Sequence, residues 1–159
     1  MKFYTIGVYN STENEFFIKL IQNKIDTFCD IRQHRGLRGA KYAFVNSNKL
    51  QLKLEEFGIK YIYIKGLAPT DEIRAIQKTS DEKYGIKQRK REILDPGFVE
   101  EYSSMILSGF DFKEFFDSLI KINSKKIALF CVEENHEACH RSIVADTLAK
   151  KFNYKISHL

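Results

Sequence analysis

Eleven consecutive positions, CVEENHEACHR from Cys131 to Arg141, hold two of the chain's three cysteines, two of its four histidines, three glutamates and an arginine. Such a set could ligate a metal, present a thiol nucleophile, cradle an anion or simply cap a helix. A zinc site would draw on Cys131, Cys139 and His140, with Asp30 or Glu133 as a fourth ligand. No Cys-x-x-Cys pair is present, and neighbouring residues on a regular helix diverge by roughly 100°, so the spacing makes a metal possible but does not favour it. As a thiolate, Cys139 is the better candidate: at a helix start, the helix dipole and Arg141 would both lower its pKa.

The alternative is acid/base chemistry. Glu133 and Asp30 would supply carboxylates and His140 would carry the proton, while Arg32 and Arg141 hold an anionic substrate. A second constellation, DIRQHRGLRGAK, adds Arg35 and Arg38 as substrate-binding candidates, because guanidinium groups bind phosphate in bidentate fashion. A third, KYGIKQRKRE, reads equally well as an exposed helix end or as a phosphate contact. Asp30, Arg32, Glu133, His140 and Arg141 are expected to meet in one polar pocket.

These residues must be positioned by regular elements. KFYTIGVY, IDTFCDI, KYIYI, KKIALFCV and YKISHL have the apolar, β-branched character of strands. Amphipathic spacing marks helices over STENEFFIKLIQNK, with a capping box at Thr12 and Glu15, over NSNKLQLKLEEFG, and from about His136 to Phe152. Asn135 would cap the last of these. Between strands 3 and 4, about residues 66 to 124, the sequence holds three helices and no strand. Alternation of strand and helix implies a single-domain, three-layer Rossmann-like α/β fold, with a mostly parallel five-stranded sheet in the order 3-2-1-4-5 and helices on both faces. Ligands bind such sheets beyond the carboxyl ends of the strands, where the winding reverses, and CVEENHEACHR falls there.

Composition bounds the rest. A chain of 159 residues suffices for one domain with a sizeable core. No apolar run approaches the ~20 residues of a membrane span, and MKFYTIGVYN lacks the apolar region of a signal peptide, so a cytoplasmic location is expected. Three cysteines without an export signal argue for reduced thiols rather than disulfides. The net charge of +5 suits a nucleotide or nucleic acid as partner, although a lysine-rich surface also serves solubility.

The run Cys131, x, Glu133, five residues, Cys139-His140-Arg141-Ser142, followed by the apolar helix IVADTLAKKF, resembles the signature of domain-of-unknown-function family 488. The opening YTIG, the triplet Asp30-Ile31-Arg32 and the segment FGIKYIYIKGLAP are similar to that family as well. After YTIG this chain carries Val8, Tyr9 and Asn10 where many members have His-Ser-Asn, and its RQHRGLRGAKYAF loop is more basic. The resemblance implies a fold and a site location but no particular reaction.

The sequence therefore points to an enzyme acting by acid/base chemistry on a phosphate-containing substrate, with Glu133, His140, Asp30 and Cys139 as catalytic candidates. Two alternatives stand beside it. One is a non-enzymatic nucleic-acid-binding or regulatory module in which Cys-His-Arg is structural. The other is a thiol-dependent enzyme of rhodanese-like or phosphatase-like type, against which nine residues separate Cys131 from Arg141 where those cradles hold only a few.

Overall fold

Ile127 and Leu129 pack against one face of the sheet and Ala128 and Phe130 against the other, so the strand KIALF is buried on both sides. This strand, β4 (Lys126–Phe130), is the central one of five in the computed structural model, which describes residues Met1–Leu159. It pairs with β1 (Lys2–Ile6) on one side and β2 (Thr27–Asp30) on the other. Outside these lie β5 (Ile156–His158) and β3 (Lys60–Tyr63). The order is β3-β2-β4-β1-β5 and every pairing is parallel. The expected order 3-2-1-4-5 is thus corrected by an exchange of strands 1 and 4. The physical reason is burial: a strand apolar on both faces gains most from the middle position, and the connection from β1 to β2 passes over it.

Two cores flank the sheet. Helices α1 (Glu13–Gln22) and α2 (Ser47–Glu56) bury Phe16, Leu20, Leu50 and Leu54 against Phe28 and Phe130. Each fully buried side chain of this kind contributes about 1.5–3 kcal/mol relative to exposure. Helices α3 (Asp71–Lys83), α4 (Pro96–Glu101), α5 (Phe112–Lys121) and α6 (His140–Phe152) cover the opposite face through Ile73, Phe98, Leu119 and Val144. Three layers result. The chain winds from β1 through β2 to β3 with helices on one face, then back through β4 to β5 with helices on the other, as right-handed crossovers require. β4 consequently sends its chain to the face opposite that used by both neighbours, which makes its carboxyl end the switch point of the sheet.

Local signals account for the helix boundaries. Thr12 and Glu15 form the full capping box: the Thr12 N–H donates to Glu15 Oε2 at 2.7 Å and the Glu15 N–H to Thr12 Oγ1 at 3.2 Å. Gly58, two residues beyond α2, takes a positive φ of 67° that a side chain would resist. The middle section contains the three expected helices, but α4 continues into a π-helical turn over Tyr102–Leu107, where one extra residue is accommodated. No helix is long and apolar enough to cross a membrane.

Candidate functional site

Beyond β4 the chain carries Cys131 and Glu133 past the switch point, both buried. The final helix does not begin where the sequence suggested. Asn135 caps only a short 3-10 turn, His136–Ala138, by accepting from the Glu137 N–H at 3.0 Å. Cys139 then adopts an extended backbone, φ −142° and ψ 141°, and α6 starts at His140. Because Cys139 lies outside the helix, the 100° divergence expected between its side chain and that of His140 does not apply.

Instead the two side chains converge. The sulfurs of Cys131 and Cys139 each lie 3.8 Å from His140 Nδ1, and the three atoms are all within 4.8 Å of one another. On the far side of the ring, His140 Nε2 is 3.0 Å from the Ile31 carbonyl oxygen, beyond the end of β2. A carbonyl can only accept, so Nε2 carries the proton and Nδ1 presents its lone pair to the sulfurs. The Tyr102 ring, held by a 2.6 Å bond from its hydroxyl to the Leu67 carbonyl, packs on His140 at 5.5 Å between centroids. Both nitrogens of His140 are thus engaged inside the protein, which leaves neither free for the proton-carrying role expected from the sequence.

Charge within the cluster is distributed unevenly. Burial pushes the Cys139 thiol up, but its hydrogen bond with Cys131, the adjoining His140 ring and the positive charge of Arg141 outweigh this and hold it well below the ordinary thiol value. Cys131 is raised in turn, by that same bond and by burial. Burial also pushes the Glu133 carboxyl up, to about 7, against the lowering effect of a hydrogen bond from Gln88.

Arg141 is 1% exposed and acts as a backbone clasp. Its Nη1 donates to the Glu133 carbonyl at 2.6 Å and its Nη2 to the Glu134 carbonyl at 2.9 Å. Gly7, just past β1, makes this loop path possible. A Cβ there would stand 1.9 Å from the Glu133 carbonyl oxygen, so only glycine fits.

Asp30 and Arg32 form a separate pair. Arg32 donates from Nε and Nη2 to the two Asp30 oxygens at 2.9 and 2.7 Å, gives a further bond to the Val45 carbonyl, and lies 4.5 Å over the Phe130 ring. Asp30 also accepts from the Tyr61 hydroxyl. Phe130, Val45 and Tyr61 belong to the core beneath α1 and α2, whereas Tyr102, which packs on His140, belongs to the opposite core. Asp30 and Arg32 thus pair with each other, and His140 meets them through the Ile31 carbonyl that lies between them in the chain. Arg35 lies 4.2 Å over Tyr63, and Arg38 is exposed.

The partners of the Glu133 carboxylate come from the basic segment around Gln88–Lys90, which folds across the strand ends. Gln88 Nε2 donates to Glu133 Oε1 at 2.8 Å. Arg91 forms a largely buried ion pair with Asp81 at 2.6 Å and stands 3.9 Å from the same Glu133 oxygen. Arg89 lies over Tyr9 and Tyr42, 4.9 and 5.4 Å from their centroids. Sequence reasoning noted the charge of this run but missed Gln88 and Arg91 as site residues. The available signal was the neutral amide of Gln88 set among cations, together with Asp81 one helix end earlier as a counter-ion.

No curated protein and no solved structure matches this chain. A family model does match over residues 12–148, most of the 159, a span that begins after YTIG and takes in both Asp30-Ile31-Arg32 and the Cys131–Arg141 motif. The chain belongs to the family described as domain of unknown function DUF488.

Proposed function

We propose that this protein is an enzyme acting on a phosphate-containing substrate, a nucleotide or a nucleic acid, with Glu133 as the proton-transfer group at the carboxyl end of β4. One observation carries this reading. The Glu133 carboxylate is buried, yet its partners Gln88 and Arg91 come from a cationic surface segment rather than from the core around it. A buried acid under a basic cover is suited to meeting a phosphate that displaces the cover and brings its own negative charge. Arg35, Arg38 and Arg89, with the exposed Lys87 and Lys90, are free to engage phosphate, whereas Arg32 is occupied by Asp30 and Arg141 by backbone carbonyls.

The test is turnover by Glu133→Gln. Purified protein is incubated with a panel of nucleotides and short DNA and RNA oligonucleotides, and products are resolved by chromatography and mass spectrometry. The expected result is product formation by the wild type and a loss of about 10²–10⁴-fold in the variant with unchanged circular dichroism.

A second reading, a nucleic-acid-binding module, is favoured by Arg89 seated on two tyrosines and Arg35 on a third, because cations interleaved with aromatic rings suit single-stranded nucleic acid. Salt-dependent binding without turnover, undiminished by Glu133→Gln, would replace the enzyme with the module.

A further inference from the structure

We infer that Cys131, Cys139 and His140 form a metal site for a zinc-class divalent ion, with its fourth position left to a non-protein ligand. Zinc takes sulfur at ~2.3 Å and nitrogen at ~2.0–2.1 Å, so a tetrahedral centre requires neighbouring donors about 3.6–3.8 Å apart. The two sulfurs stand 3.8 Å from His140 Nδ1, and all three donors lie within 4.8 Å of one another. Both sulfur–nitrogen separations match that requirement.

Nδ1 has one lone pair in the ring plane, so without an ion it accepts well from only one thiol, and the two sulfurs turn to each other for the remaining bond. A single ion satisfies both sulfurs and the nitrogen together. The orientation of His140 is a second, independent observation, since its Nε2 is anchored on the Ile31 carbonyl at 3.0 Å. That is the support a metal-bound imidazole ordinarily has, with the outer nitrogen on a carbonyl and the inner nitrogen turned to the ion. Packing of Tyr102 against the ring fixes its plane.

The three donors come from the end of β4, from the extended Cys139 and from the first residue of α6, so the site exists only in the folded chain. No fourth histidine, cysteine or carboxylate joins the group. Three protein ligands and one open position is the pattern of catalytic rather than purely structural zinc. Binding would release the thiol protons to solvent and leave two thiolates facing a dication, with no redox change.

The site does not depend on the proposed reaction, and its test needs no activity. The full chain is purified under reducing conditions, loaded with Zn(II) or Co(II), and freed of excess metal by gel filtration. One equivalent of zinc by elemental analysis and native mass spectrometry is expected, and the cobalt form should show thiolate-to-metal charge-transfer absorption in the near ultraviolet. Cys131→Ser or Cys139→Ser should each abolish retention of the metal through gel filtration, and that absorption with it. Cys29→Ser, which alters the third cysteine inside β2, should leave both unchanged. Folded wild-type protein that retains no metal, or retains it equally after both Cys131→Ser and Cys139→Ser, overturns the assignment. The cobalt spectrum of the wild type decides even if a variant fails to fold.

Discussion

Gln88 Nε2 lies 2.8 Å from Glu133 Oε1, joining an exposed residue of the basic segment to a buried carboxylate at the end of the central strand, 45 positions away. That bond, with the Asp81–Arg91 pair and the bond from Arg91 Nη1 to the Ala138 carbonyl, ties the segment down beside Cys139, which is only 2% exposed. Removing Gln88 loosens the cover without touching the cysteines. Gln88→Ala is therefore expected to speed modification of Cys139 by a thiol reagent in metal-free protein, measured as rate and located by peptide mapping. An unchanged rate would mean that access is governed elsewhere.

The Asp30–Arg32 pair is almost wholly buried and hydrogen-bonded throughout on its acidic side. Breaking such a pair from one end leaves an uncompensated charge and costs about 3–5 kcal/mol. Arg32→Met should lower the urea midpoint accordingly, whereas the double variant Asp30→Asn, Arg32→Met should recover a large part of the loss. A double-mutant cycle showing no coupling would contradict this account.

His158 in β5 stacks on His136 at 3.6 Å between centroids and bonds through Nδ1 with Thr5 Oγ1 at 2.8 Å. Burial, then the charges of His136 and Arg141, hold its pKa below the ordinary histidine value, while Asp146 and Glu137 oppose them. A group whose pKa is depressed on folding contributes stability that is complete above its unfolded value of about 6.5 and is lost as pH falls through the folded value. Acidification from about pH 7 to pH 5 should therefore weaken β5. Hydrogen exchange at the Leu159 amide, which donates to the Thr5 carbonyl, should quicken beyond its intrinsic pH trend, and His158→Gln should flatten that response.

Much of this arrangement is legible before any coordinates. Alternation of apolar strands with amphipathic helices yields the three-layer fold, and Thr12 with Glu15 marks the start of α1 to the residue. Strand order is less legible, because β1 and β4 are both apolar and only competition for the centre decides between them. The geometry of the site is hard to read for a local reason. Cys-His-Arg reads as the opening of a helix, and nothing in its letters says that Cys139 stays extended and turns toward Cys131. Asp30 and Arg32 read as catalytic and substrate-binding candidates because their mutual pairing, two residues apart across a strand end, is a matter of side-chain direction rather than spacing.

The π-helical turn after α4 bears on how this protein could change over time. Tyr102, at its first residue, packs on His140, while Leu107, at its last, belongs to the core. Losing one residue between them would regularise the hydrogen-bond ladder and turn one end against the other by roughly 100°. Either the tyrosine would leave the histidine or the leucine would leave the core. A deletion that improves the helix thus damages what the helix supports, which would preserve the irregular turn for as long as the ring of His140 must be held in place.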